Sequence, residues 1–394
     1  MSEDGSSGTA PAKQARLSRR QTTDKLFDAL LPVAATLLAL GVGAILLLLL
    51  GVNPLVAYGA MLKGAFGTVS GLTQTLAKAT PLLLVALGIC IAFRAGVINI
   101  GGEGQIILGA IAAAALALAF PTMPGLLLIV AALAASLLAG GIWGGIAGVL
   151  KARFGVNEIL STVMLNAIAL QVMNYLLRGP MLDPEQIAAG TNIPQSATLP
   201  LQVWLPRLVP RTLLHAGLLL AILLAVLVYI FLWRTTIGYR IRAVGLNPSA
   251  ARYAGIPVQR YIALALILSG AFAGLAGGVE VTGVHHRMIE GLSGGYGFSG
   301  IVAALFGKLH PLGAIPASII FGGLLVGADK MQRTVQVPSS LVVVINGLIV
   351  LFVVASDYFV RQRARRRGTE VTETSISGPP QPSLEPGIVP EDKR

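Results

Sequence analysis

Apolar residues in this chain fall into long runs separated by short polar intervals. The run lengths predict membrane-spanning helices, for which about 20 apolar residues are needed. Full runs lie near residues 29–50, 126–150, 213–233, 261–281 and 339–359. A further span at 157–177 is more polar, with Glu158, Thr162, Asn166 and Asn174 on one i, i+4 line and Gln171 beside it. Lipid penalises such a face, so it is expected to look into the bundle or a hydrated cavity. Residues 80–93 read as a short span, and 53–78, too polar to cross, as one or two short interfacial helices. Between 95 and 120 the glycine-rich VINIGGEGQ leads straight into an apolar run, which predicts a broken, partly re-entrant hairpin covered by protein or lining a wet path. Two short glycine-rich pieces, 298–307 and 311–327, echo it in the second half, as repeats meeting at a solute path would. The expected fold is an all-α polytopic membrane protein of about ten transmembrane helices, some short or broken.

Charge orients this arrangement. Residues 234–260 carry Arg234, Arg240, Arg242, Arg252 and Arg260 and no acidic residue, which places them in the cytoplasm by the inside excess of Lys and Arg. Ten spans then put both termini inside, as a disordered tail at 1–28 and a basic, then polar, tail at 361–394. Of the 29 Lys and Arg, the outer side keeps Lys63, Lys78, Arg178, Arg207, Arg211, Arg287, Lys330 and Arg333. Six prolines between 178 and 212 predict an extended outer cover. Within 234–260 the pattern predicts a helix end, a turn at 245–248, and a short helix that starts near Asn247 or Pro248 and stops at Gly255 before Pro257.

Composition narrows the chemistry. With 394 residues, 55% hydrophobic and 12% charged, and a mean hydropathy of +0.78, the chain is too apolar for an ordinary soluble fold. The net charge of +12 sits in short runs between spans, where it sets topology and meets anionic lipid; nucleic acid is not an expected partner. Cys90 is the single cysteine, so an intramolecular disulfide is excluded. His285 and His286 lack a third ligand, and no metal site is expected. No GxxxxGK[ST] loop is present, and GGEG has no strand-to-helix context, so this chain is expected to bind no cofactor, and energy must come from an ion gradient or another subunit. For an ion-coupled carrier of a small polar solute, Glu103 is the best intramembrane relay. The alternative for Glu103 is a helix-start carboxylate favoured by local N–H groups.

VINIGGEGQIILGA at 97–110 and GYRIRAVGLNPSAARYAGI at 238–256 resemble permease subunits of bacterial ABC importers of the branched-chain amino acid and ribose type, in particular the nucleoside or simple-sugar subgroup, over about residues 30–360. The resemblance implies a multi-pass protein of the bacterial plasma membrane that hydrolyses nothing itself. ATP and Mg would sit in a cytoplasmic tandem ATPase. It also implies an extracellular substrate-binding lipoprotein and a second, related permease chain, a heterodimer being favoured over a homodimer. Residues 234–260 would be the coupling loop, shaped by Gly245, Asn247, Pro248, Ala251, Ala254 and Gly255, with Arg240, Arg242 and Arg252 meeting the ATPase or lipid. The solute would pass the 95–105 hairpin, the polar line of 157–177 and the 294–307 segment. Asn99, Gln105, Asn166, Gln171 and Asn174 offer donors and acceptors to a nucleoside or a sugar alike.

Overall fold

The structure is a computed structural model; it describes residues 34, 37–191 and 193–338 and positions 344, 347, 348, 351, 352 and 355. The expected tails at 1–28 and 361–394 lie outside the described residues, as do much of the 339–359 run and the start of 29–50. Residues 39–350 make up one compact unit, and its described part is helix and connecting segments, with isolated β-bridges at Gln195–Ile289 and Arg207–His215.

In chain order the helices are α1 (Leu37–Leu49), α2 (Pro54–Phe66), α3 (Val69–Arg94), α4 (Gly102–Ala119), α5 (Gly125–Phe154), α6 (Glu158–Leu177), α7 (Pro184–Ala188), α8 (Gly217–Arg234), α9 (Thr236–Leu246), α10 (Pro248–Tyr253), α11 (Val258–Glu280), α12 (Tyr296–Phe306) and α13 (Pro311–Val335). Among the described residues seven helices are long and apolar enough to cross a membrane: α3, α4, α5, α6, α8, α13 and α11, the last with the π turn Val281–His285 that continues it. Helices α1 and α12 are shorter apolar pieces.

The helix expected to be short, at 80–93, is the one that differs most. It extends back to Val69 and runs for 26 residues through Pro81. Its polar first half is accommodated because the hydroxyls bond backbone carbonyls: Thr73 to Val69, Thr80 to Leu76, and Thr75 across to Ala65 of α2. Lys78 meets Asp329 of α13 at 2.6 Å. A hydropathy window counts these side chains as polar, whereas the fold leaves few of their polar atoms for lipid. In the second half α13 likewise continues past 327 to Val335.

Contacts order the helices between two ends of the unit. The end holding residues 234–260 is called the basic end. There Gly245 lies backbone to backbone against Arg94 and Gly96, and Arg94 donates to the Leu309 carbonyl at 3.3 Å. Helix α3 therefore ends, and α11 and α13 begin, at the basic end; Val69, Glu280 and Val335 lie at the far end. Helix α11 packs on α4 and α5, and α3 packs correspondingly on α12 and α13. The α5–α11 seam is made by glycines: a Cβ on Gly140 or Gly144 would run into the backbone of Gly270 and Gly274 or of Leu266 and Gly270. Without an aqueous hydrophobic effect between spans, such close approach supplies the dispersion contacts that hold them.

Candidate functional site

The segment between α3 and α4 leaves the helix because its residues end one helix and cannot continue it. Gly96 takes φ +77°, and the Gly96 and Val97 N–H groups bond back to the Phe93 and Ala92 carbonyls, a left-handed cap that closes α3. Residues 97–100 then run as irregular, buried or half-buried backbone to the turn at Gly101. Their depth is set by Asn99, whose amide donates to Ser269 Oγ at 2.8 Å in the middle of α11.

Irregular backbone at that depth must be satisfied by side chains, and the sequence-predicted polar residues do this. Asn99 is fully buried; its Nδ2 also donates to Gln105 Oε1 at 2.9 Å, and its Oδ1 accepts from the Gly101 N–H at 2.9 Å. From α6, Asn166 accepts from the Gly104 N–H at 2.8 Å and donates to the Ile100 carbonyl at 2.9 Å. Thr162 Oγ1 accepts from the Ile100 N–H at 3.3 Å. The foot of this polar line is Glu158, paired with Lys151 at 2.8 Å.

Helix α12 is the counterpart of α4. Its first turn carries GGYG at 294–297 where α4 carries GGEG at 101–104, and the two motifs meet. A Cβ on Gly102 would lie 3.0 Å from Gly297 Cα. Glu103 Oε1 accepts from the Gly297 N–H at 2.8 Å and the Phe298 N–H at 3.4 Å. One carboxylate thus sits in the first turn of its own helix and satisfies orphan donors of another, where both helix dipoles favour negative charge.

The structure therefore brings Asn99, Glu103, Gln105 and Asn166 into one connected lattice joining α4, α6, α11 and α12. It does not bring Gln171 and Asn174 there. They line a shallow recess of about 470 Å³ with Tyr175, Arg178 and Gly179 towards the far end of α6, and Asn174 Oδ1 is buried without a partner. Ser269 is a member that sequence reasoning missed, and Gly297 was covered only as part of the 294–307 segment, without its tie to Glu103. The repeat of GGxG at 101 and 294 was the available signal for that tie.

At the basic end, Thr235 caps α9 by accepting from Gly238, and Asn247 caps α10 by accepting from the Ala250 N–H at 3.0 Å, with Pro248 at its first position. Gly255, at φ +77°, closes α10; its N–H bonds to the Arg252 carbonyl and that of Ile256 to Ala251. Arg240 donates to the Tyr261 hydroxyl at 3.0 Å. The Arg242 and Arg94 guanidinium groups lie 5.7 and 5.2 Å from the Trp233 ring centre, within cation–π reach. Arg252 is exposed. Two residues not singled out from the sequence, Leu246 and Tyr253, are 87% and 93% exposed at the ends of the α9–α10 elbow.

Among the described residues no group of three or more His, Cys, Asp and Glu is placed to hold a metal. At the far end, residues 178–216 are stitched to 281–289: the Ser196, Leu199 and Leu205 N–H groups donate to the Met288, His286 and Thr282 carbonyls, and the Trp204 ring stacks on His286 at 3.7 Å.

The family described as "Branched-chain amino acid transport system / permease component" matches residues 71–354. The chain is 38% identical to the guanosine ABC transporter permease protein NupP of Bacillus subtilis, over 86% of this chain and 96% of that protein. It is 35% identical to the glucose ABC transporter permease protein TsgB13 of Haloferax volcanii (88% and 93% covered). Identity is 32% to the nucleoside ABC transporter permease protein NupB of Lactococcus lactis (84% and 92%). In each of these organisms a second permease protein named for the same solute also resembles this chain.

Proposed function

Because the chain belongs to the family of permease components of branched-chain amino acid transport systems, we propose that it forms the membrane path of an ATP-driven ABC importer for nucleosides or simple sugars in the inner membrane. The solute class rests on relatives named for guanosine, nucleosides and glucose. The chain is a transport subunit with no hydrolytic role; ATP is hydrolysed by a separate ATPase subunit. An external binding protein delivers the solute, and the second permease is a related, different chain, in keeping with the paired permease proteins of the three relatives' organisms. The basic end faces the cytoplasm, as its arginines require, with both termini on that side and the 178–216 segment outside.

The observation that carries the mechanism is the backbone contact of Gly245 with Arg94 and Gly96. The α9–α10 elbow offers Leu246, Tyr253 and Arg252 to the ATPase, while its inner end presses on the start of the segment leading to Asn99 and Glu103. A shift of the elbow when the ATPase closes would move residues 97–101, and through Glu103 and Gly297 the start of α12. Arg240 and Arg242, held by Tyr261 and Trp233, keep the elbow rigid enough to transmit that shift. Asn99, Gln105 and Asn166 would border the solute path when this lattice opens, with Gln171 and Asn174 lining its outer approach. The engagement of Glu103 with two backbone N–H groups supports a structural role for it over that of an ion relay.

Reconstitution of this chain with its ATPase, binding protein and second permease tests the reading. Uptake of labelled guanosine or glucose is expected to require ATP and all partners. Uptake that persists without the ATPase would overturn it.

A further inference from the structure

At the far end, a groove of about 720 Å³ runs between α2, the first turns of α3 and the last turns of α13. Lys63 of α2 and Lys330 and Arg333 of α13 line it. The one carboxylate in its lining, Asp329, is taken by Lys78 at 2.6 Å, and among the described residues no ion pair engages the other three cations. The Lys330 stem is seated on Gly64, where a Cβ would collide with it. Ser70 and Gly71 bring the capped N-terminal turn of the 26-residue helix α3 to the same groove, adding a positive dipole end. The groove is also partly apolar: its α2 wall carries Leu55, 82% exposed, and Val56, and its α13 wall Val326.

Depth identifies the occupant. Helices α3 and α13 have 26 and 25 residues, so at 1.5 Å per residue each is about 38 Å long. That exceeds a hydrocarbon core of about 30 Å, and their far-end turns therefore lie at the level of the lipid headgroups. A site of three cations and a helix N-terminus beside exposed aliphatic side chains at that level matches a phosphate that carries acyl chains.

We propose that this groove binds the phosphate of an anionic phospholipid in the leaflet opposite the coupling elbow, with Leu55 and Val56 against the upper acyl chain. The inference rests on the membrane-spanning arrangement and is independent of which solute is carried.

Native mass spectrometry of the full chain, released from nanodiscs of equal parts phosphatidylglycerol and phosphatidylcholine, tests it without a transport readout. Retention of phosphatidylglycerol is expected to exceed that of phosphatidylcholine by roughly a hundredfold, since three basic residues near an anionic surface contribute about 1 kcal/mol each. The triple variant Lys63→Gln, Lys330→Gln, Arg333→Gln should fall to parity while its thermal unfolding stays unchanged. Arg178→Gln with Arg287→Gln, cations engaged by Glu290 and Thr198, should keep the preference. Leu55→Ser with Val56→Ser should weaken lipid retention and leave binding of inorganic phosphate as it was. Equal retention by the native chain and the triple variant would overturn the proposal. So would displacement of the lipid by millimolar inorganic phosphate together with indifference to the Leu55 and Val56 changes, which would make a free phosphate the ligand.

Discussion

Glu103 and Gly297, 194 residues apart in the chain, are joined by a 2.8 Å hydrogen bond from the Gly297 N–H to the Glu103 carboxylate. The bond ties the starts of α4 and α12 together. A turn at 290–295 leads into α12 and an irregular run at 97–100 leads into α4, and neither supplies the acceptor that Glu103 gives the Gly297 and Phe298 N–H groups. A lone helix N-terminus at this depth would leave N–H groups without partners, at a cost of a few kcal/mol each.

That arrangement separates a cap from a relay. Glu103→Gln keeps an oxygen facing Gly297, so uptake in the reconstituted system is expected to stay within a few-fold of the native rate. Glu103→Ala removes the acceptor and should lower stability by about 1–3 kcal/mol, with uptake falling further. Thermal unfolding and uptake on the same preparations measure both. Loss of uptake in the Gln variant with stability intact would point to proton transfer at this position.

Gly245 is expected to tolerate no side chain. A Cβ there would lie 2.8 Å from the Gly96 nitrogen and against the Arg94 carbonyl, and neither backbone atom can retreat without disturbing the cap of α3. Gly245→Ala should therefore uncouple the ATPase, leaving basal hydrolysis while solute-stimulated hydrolysis and uptake drop together. Parallel assays of the two rates decide it.

Leu246 and Tyr253 should matter only when a partner is present, because they are almost fully exposed. Tyr253→Ala is expected to leave the melting temperature of the isolated permease unchanged and to weaken its association with the ATPase by about tenfold or more, as truncation of an interface aromatic commonly does. A pull-down titration at fixed salt reads this directly.

His215 gives the far-end cover a pH dependence. The ring lies just before α8, and burial, with the nearby His286 adding, takes its pKa down from 6.5 to about 4. The folded state thus favours the neutral ring, and below pH 6.5 the unfolded state binds the proton first. Stability from this group is complete above pH 6.5 and is lost progressively as pH falls to about 4, by roughly 3 kcal/mol in all. His215→Asn, whose oxygen can replace Nδ1 as acceptor for the Gly217 N–H, should flatten the unfolding profile over that interval.

Much of this was legible before any coordinates because it is encoded locally. The elbow at 234–260 followed from Asn247, Pro248, Gly255 and Pro257, whose backbone preferences act within a few residues. The break at 95–101 followed from clustered glycine and asparagine. The full length of α3 was not legible, since Thr73, Thr75 and Thr80 read as polar until their hydroxyls are seen to bond backbone carbonyls.

By itself the sequence determined that the chain is a bundle of apolar helices, where the breaks at 95–101 and 245–257 fall, and which end is basic, since hydropathy, caps and charge are properties of short stretches. Only the tertiary structure decided which polar groups share a site. Asn99 meets Ser269, Asn166 meets Gly104, and Glu103 meets Gly297 because glycines bring the backbone of α4 against α11, α6 and α12 and so set the register between them. Gln171 and Asn174, on the same helix as Asn166, are left outside that lattice. Relative register is a property of packed surfaces, and no window along one strand of sequence contains it.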